Sequence, residues 1–275
     1  MMKIFFIGLT LNIFAGLFNI PLGPERYIKR LYRSAYSLIN IDFDDITRKI
    51  ADTVIYIAVS LYIFFIVWIL SEIYNVIPGR FTRIAVLSFL VCLLIRPGDN
   101  IYPLILLKCG RKKRVVKILD RRFAKLGDDA SDTDIFNAML ASRGYNIRLF
   151  ACPVFFFMCF GIIPAFLCKT AEILSRTKNN CAAKAVYGIL SFIPAVMFRF
   201  FMRLSGLILK GHIPKGNSVY KLVESHTGIK IGKDNAGYKD VLKSEILICM
   251  SDILFCAAAY GVSAVISLAA EYLWA

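Results

Sequence analysis

Histidine is almost missing from this chain, with His212 and His226 the only two. The eight cysteines (Cys92, Cys109, Cys152, Cys159, Cys168, Cys181, Cys249, Cys256) include no Cys-x-x-Cys pair and no Cys/His cluster. No metal site is therefore expected. Cys92, Cys152, Cys159, Cys249 and Cys256 fall inside apolar runs, where cysteine acts as a small hydrophobe. The chain also lacks a G-x-x-x-x-G-K-[ST] phosphate loop, an H-E-x-x-H pair and a G-x-S-x-G elbow, so no catalytic set can be read from it.

Charge is scarce. Only 19% of the 275 residues are charged, and they are bunched between long uncharged runs. Hydrophobic residues make up 58% and the mean hydropathy is +0.63. A soluble domain is usually about 45–50% apolar, so the excess calls for a solvent other than water. A soluble all-α core would need helices with polar outer faces, yet segments 54–70 and 149–168 are apolar all round. The expected fold class is therefore an all-α, polytopic integral membrane protein with one membrane domain spanning residues 1–275.

Acids number 19 against 34 lysines and arginines, a formal charge of +15. The bases flank apolar spans rather than interleaving with aromatics on a soluble module, so nucleic acid is not the expected partner. Six spans are expected, at about 4–20, 53–77, 84–95, 149–168, 185–207 and 246–270. The first is read as a retained span, since it has one lysine before it, no A-x-A site, and Asn12 at its centre. The third is short for a crossing and needs Arg83 and Arg96 to snorkel.

Segments 21–52, 96–148 and 199–245 hold 27 of the 34 basic residues, against 7 on the other side, Lys169 and Lys178 among them. The positive-inside rule then makes 21–52, 96–148 and 208–245 cytoplasmic and both termini periplasmic, in a bacterial inner membrane. The basic segment 24–51 is expected to lie on the bilayer surface, with anionic lipid headgroups as its partner. Segment 208–245 reads as an ordered loop.

Few residues suggest a site. Asp128, Asp129, Asp132 and Asp134 suit either a divalent ion or helix capping, and Ser131 with Asp134 has capping-box spacing for a small helix that Gly144 would end. Arg148 stands at the entry of the fourth span beside Asn146. Asp252 lies within the sixth span, where a carboxylate is costly unless paired. Arg199 and Arg203, four apart on one face of the fifth span, are its expected intramembrane partners.

A resemblance is carried by the order of several fragments. These are Asp132-Thr133, then Asn146-Ile-Arg148-Leu-Phe-Ala-Cys-Pro153-Val-Phe-Phe, then Phe192-Ile-Pro194-Ala, then Thr227-Gly-Ile-Lys-Ile-Gly232 before a last span. Over roughly residues 5–270 the chain resembles the superfamily uniting CobD/CbiB membrane proteins of cobalamin biosynthesis with AmpE-type regulators linked to β-lactamase induction. The synthase branch implies ATP- and Mg²⁺-dependent amide formation between adenosylcobyrate and an aminopropanol group. The ligand or phosphate candidates are Asn146, Arg148, Asp132 and Thr133.

The chain departs from the synthase pattern at several points. Arg148 stands where the synthases have aspartate, Val196 where an arginine follows Ile-Pro-Ala, Ser131 where the family often has arginine, and 185–191 lacks an acidic pair. The Asn-x-Arg-x-x-x-x-Pro-Val-Phe pattern is closer to the AmpE type. The expectation is a non-catalytic membrane protein of sensing or regulatory type with no cofactor and an unidentified protein partner. The alternative is a divergent adenosylcobinamide-phosphate synthase.

Overall fold

The computed structural model describes residues 4, 7, 8, 10, 11, 24–38, 45–76, 79–94, 98–122, 126–127, 130–177, 180–232 and 234–274. Among these the regular elements are helical, without a strand. The expected first span lies mostly outside them, as do Asp128, Asp129 and Lys178. The chain divides into two compact units, Met1–Arg96 with Cys152–Pro194 and Ala259–Ala275, and Pro97–Ala151 with Ala195–Ala258.

The first unit contains α1 (Glu25–Leu38), α2 (Asp45–Val76) and α3 (Arg80–Leu94). α2 is apolar on every face, and its Ile46–Val76 stretch is long enough to cross a bilayer. It starts several residues before the expected span because Asp45 and the polar turn after it still propagate a helix. α3 has 15 residues and remains the short apolar helix that the sequence suggested. α1 is amphipathic as expected. Its apolar face, however, is covered by protein: Ile28 and Tyr32 are buried, and α1 packs on α2 and on a later helix at Ile162–Ser175.

The expected fourth span is not one helix. A π-helical turn at Ile147–Ala151 leads to α7 (Cys152–Phe160), which stops at Gly161, and α8 (Ile162–Ser175) follows. Gly161 has φ +91°, a conformation that a residue with a Cβ rarely adopts, so the helix cannot run through it. α7 and α8 then pack against each other. With 9 and 14 residues they reach about 14 and 21 Å, short of a hydrocarbon layer of about 30 Å.

α8 is the most enclosed element of this unit, packed by α1, α2, α3 and α7. Lys169, counted above as a loop cation, is 2% exposed inside it. Its Nζ lies 3.1 Å from Glu172, which also receives Arg176. These ion pairs lie along α8 itself and let its buried charges satisfy one another, while its neighbours hold it by close packing.

Two long helices supply residues to both units: α9 (Cys181–Lys210) and α11 (Tyr238–Trp274). Both are apolar and long enough to span, which gives three spanning candidates with α2. Asn180 caps α9 by accepting from the Ala183 amide at 2.8 Å. Between α3 and the π turn lie α4 (Gly98–Lys108), the basic α5 (Lys112–Arg122) and α6 (Asp132–Ser142). The capping box of Ser131 and Asp134 forms as its spacing implies. Gly144 does not end the path; the chain tightens into a 3-10 turn at Arg143–Tyr145. Segment 208–245 holds α10 (Val219–Thr227), capped by Ser218 and stopped by Gly228 at φ +81°.

Candidate functional site

Asn146 and Asp252, 106 positions apart, meet in the second unit, where Asn146 Nδ2 donates to Asp252 Oδ1 at 2.9 Å. Beside them Arg143 Nη2 lies 2.7 Å from Glu245 Oε2. Two periodicities explain the meeting. A 3-10 turn has three residues per turn, so Arg143 and Asn146 project from one edge of it. On α11, Glu245, Cys249 and Asp252 recur at i, i+4 and i+7 and share one face. Two pairs thus close a polar seam between the turn and α11. Ser251, on another face of α11, is bonded to Ser205 Oγ at 3.1 Å and to the Leu247 carbonyl.

The electrostatics of the seam centre on Arg143. Its side chain is fully buried, and Glu245 is 8% exposed. A single carboxylate contact leaves the Nε and Nη1 donors of Arg143 without a hydrogen-bond partner among the described residues. A buried guanidinium presents five N–H groups, so this one has spare capacity for an oxygen-bearing group.

The pairing expected of Asp252 is not the one that forms. Arg199 donates to the backbone carbonyls of Ala195 and Asn217, the latter at 2.7 Å, and Arg203 donates to the Gly216 carbonyl at 2.9 Å. The segment at 211–217 folds back over α9 and offers bare carbonyls there. Its Gly216 is at φ +142°, and a Cβ on it would come within 2.6 Å of Lys221. The two arginines anchor that segment, and the amide of Asn146 takes the carboxylate.

The other candidates lie apart. Asp132 is on the surface, 2.7 Å from Lys112, and Thr133 is in the first turn of α6. Asn146 is 14 residues further on, roughly 20 Å along the helical path. Asp134 is held below the usual carboxylate range, chiefly by the Ser131 hydroxyl. Arg148 belongs to the π turn, and its side chain is outside the described residues.

The magnesium and ATP of a synthase would need gathered carboxylates with cations beyond them. The described acids here are committed: Asp252 to an amide, Glu245 to Arg143, Asp132 to Lys112. That donor set does not fit a magnesium phosphate.

The two histidines meet: the ring of His226 on α10 stacks on His212 with centroids 6.4 Å apart. It is 3% exposed. Burial pushes it down to about 4, helped by Lys210, His212 and Lys243. Arg143 and Glu245 were missed by sequence reasoning. A Glu–Cys–Asp face at i, i+4 and i+7 in an otherwise apolar helix was the available signal.

Comparison with protein-family models, with curated proteins and with solved structures gave no match.

Proposed function

We propose that this chain is a multi-pass protein of the bacterial inner membrane, of the CobD/CbiB–AmpE kind, that senses or regulates rather than forms amide bonds. The observation that carries this reading is the Asn146–Asp252 bond. In the resembling synthases the segment after this asparagine carries a carboxylate. Here Arg148 takes that position, and the asparagine itself holds an acid of α11. The neighbouring Arg143, buried and paired at one nitrogen only, supplies a receptor group for a carboxylate- or phosphate-bearing signal. Filling its free donors competes with Glu245 and so loosens or tightens the seam, which is what a regulatory site requires.

The orientation proposed is the one given by the basic residues. The basic segments within 97–151 and 195–258 belong to one compact unit, which supports placing both on the cytoplasmic side.

The test is complementation. A bacterium lacking its adenosylcobinamide-phosphate synthase, supplied with this chain, is expected to remain unable to make cobalamin. Purified protein given adenosylcobyrate, aminopropanol phosphate, ATP and Mg²⁺ is expected to form no amide. Restored cobalamin synthesis would overturn the regulatory reading in favour of a divergent synthase.

A further inference from the structure

The cations of α1 form one stripe. Arg26, Lys29, Arg30 and Arg33 stand at i, i+3, i+4 and i+7, and with Tyr27 and Ser34 they line an open groove of about 600 Å³. Lys29 is paired with Glu25 at 2.8 Å. Arg26, Arg30 and Arg33 have no ion pair among the described residues. The opposite face of α1, with Ile28 and Tyr32, is buried against the unit.

Two tyrosines set the level of this groove along α2. Tyr32 donates to Asp52 Oδ1 at 2.8 Å, and the Tyr27 and Tyr62 hydroxyls are 3.1 Å apart. Lower positions of α1 therefore meet higher positions of α2, and the helices run antiparallel. Between Asp52 and Glu72, α2 carries no charge. That stretch is about 28 Å long by helical rise and matches a hydrocarbon layer of about 30 Å. Tyr62 is its midpoint. The cationic groove thus extends from the polar boundary of α2 toward the middle of its apolar stretch. There Leu61, Tyr62 and Phe65 are about half exposed.

Three arginines without counter-charges beside a lipid-facing helix are costly unless an anion completes them. An anion that fits must also tolerate the exposed apolar surface next to it. We infer that the groove holds the phosphate of an anionic phospholipid, seated among Arg26, Arg30 and Arg33, with its acyl chains along the exposed side of α2. A lipid is favoured over a soluble phosphate because only the lipid covers both surfaces. This inference depends on α2 spanning the bilayer and not on whether the chain is catalytic.

The test uses the full chain in mild detergent, titrated with phosphatidylglycerol or phosphatidylcholine and read by native mass spectrometry. Arg30→Gln with Arg33→Gln is compared with Lys230→Gln with Lys239→Gln, which removes equal charge from exposed positions elsewhere. Phosphatidylglycerol is expected to bind in preference to phosphatidylcholine. The arginine variant is expected to lose roughly thirtyfold in affinity, at about fivefold per cation, while the lysine variant keeps it. Equal losses in both variants, or none in either, overturn the site. Displacement of the lipid by inorganic phosphate or glycerol 3-phosphate at matching concentration overturns the lipid as its occupant.

Discussion

Asn146 Nδ2 and Asp252 Oδ1 lie 2.9 Å apart, joining a 3-10 turn to a helix 106 positions further along the chain. The amide offers a donor that the carboxylate needs. Asn146→Ala is expected to cost about 1–3 kcal/mol by stranding the acid. A double-mutant cycle of Asn146→Ala with Asp252→Asn in detergent is expected to show coupling of about 0.5–2 kcal/mol. Arg199→Gln combined with Asp252→Asn is expected to be additive. Coupling found with Arg199 and absent with Asn146 would return the pairing to the arginine.

The Arg143–Glu245 pair behaves differently, because here both partners carry charge and Arg143 is fully buried. Arg143→Met alone leaves Glu245 unpaired and is expected to cost about 3–5 kcal/mol. Arg143→Met with Glu245→Leu removes both charges and is expected to recover most of that loss. Thermal unfolding of the two variants and the parent distinguishes the cases, and a double variant as damaged as the single one speaks against a charge-pairing role.

Protonation of His226 opposes the fold. Its folded value of about 4 lies below the ordinary 6.5, chiefly through burial and then through Lys210, His212 and Lys243. Between those values the unfolded chain holds a proton that the folded chain does not. Stability from the neutral ring is therefore complete above pH 6.5 and is lost as pH falls toward 4. Unfolding midpoints measured from pH 7 to 4 should fall less steeply in His226→Phe than in the parent. Parallel curves would show that another group governs the acid limb.

The break at Gly161 tests the hairpin of α7 and α8. A Cβ there meets nothing within 4 Å, so Gly161→Ala is opposed by backbone conformation alone. The expected loss is about 1–2 kcal/mol. Gly188, helical and equally uncrowded, is the control, and alanine there is expected to be neutral or stabilising by up to about 1 kcal/mol. Equal responses at the two positions would mean that the chain runs straight through 161.

The orientation proposed from the basic segments is open to labelling. Single reporter cysteines at Lys113 and Asn217, in a cysteine-free background, are expected to resist an impermeant thiol reagent in intact cells, and one at Lys178 to react. Asn217 serves Arg199 through its backbone carbonyl, so the replacement leaves that bond in place. Labelling at 113 or 217 with protection at 178 would invert the chain.

The long apolar helices were legible from sequence because a charge-free run of sufficient length has few other uses: α2, α9 and α11 fall where composition put them. The capping box at Ser131 was equally plain, since its spacing is local. Hydropathy, however, registers neither a single backbone angle nor a partner's address. It joined 149–168 into one span, and only the positive φ of Gly161 divides that segment into two packed helices. It made Lys169 a loop cation, although Glu172 one turn on allows it to be buried, with Arg176 a further turn along sharing that acid. The sequence showed that Asp252 needed a partner. Which one it takes was decided by tertiary structure, because the segment at 216–217 satisfies both arginines and a 3-10 turn aims Asn146 at the acid. Local rules reach as far as one helix or one turn, and contacts over a hundred positions are set by how the helices pack.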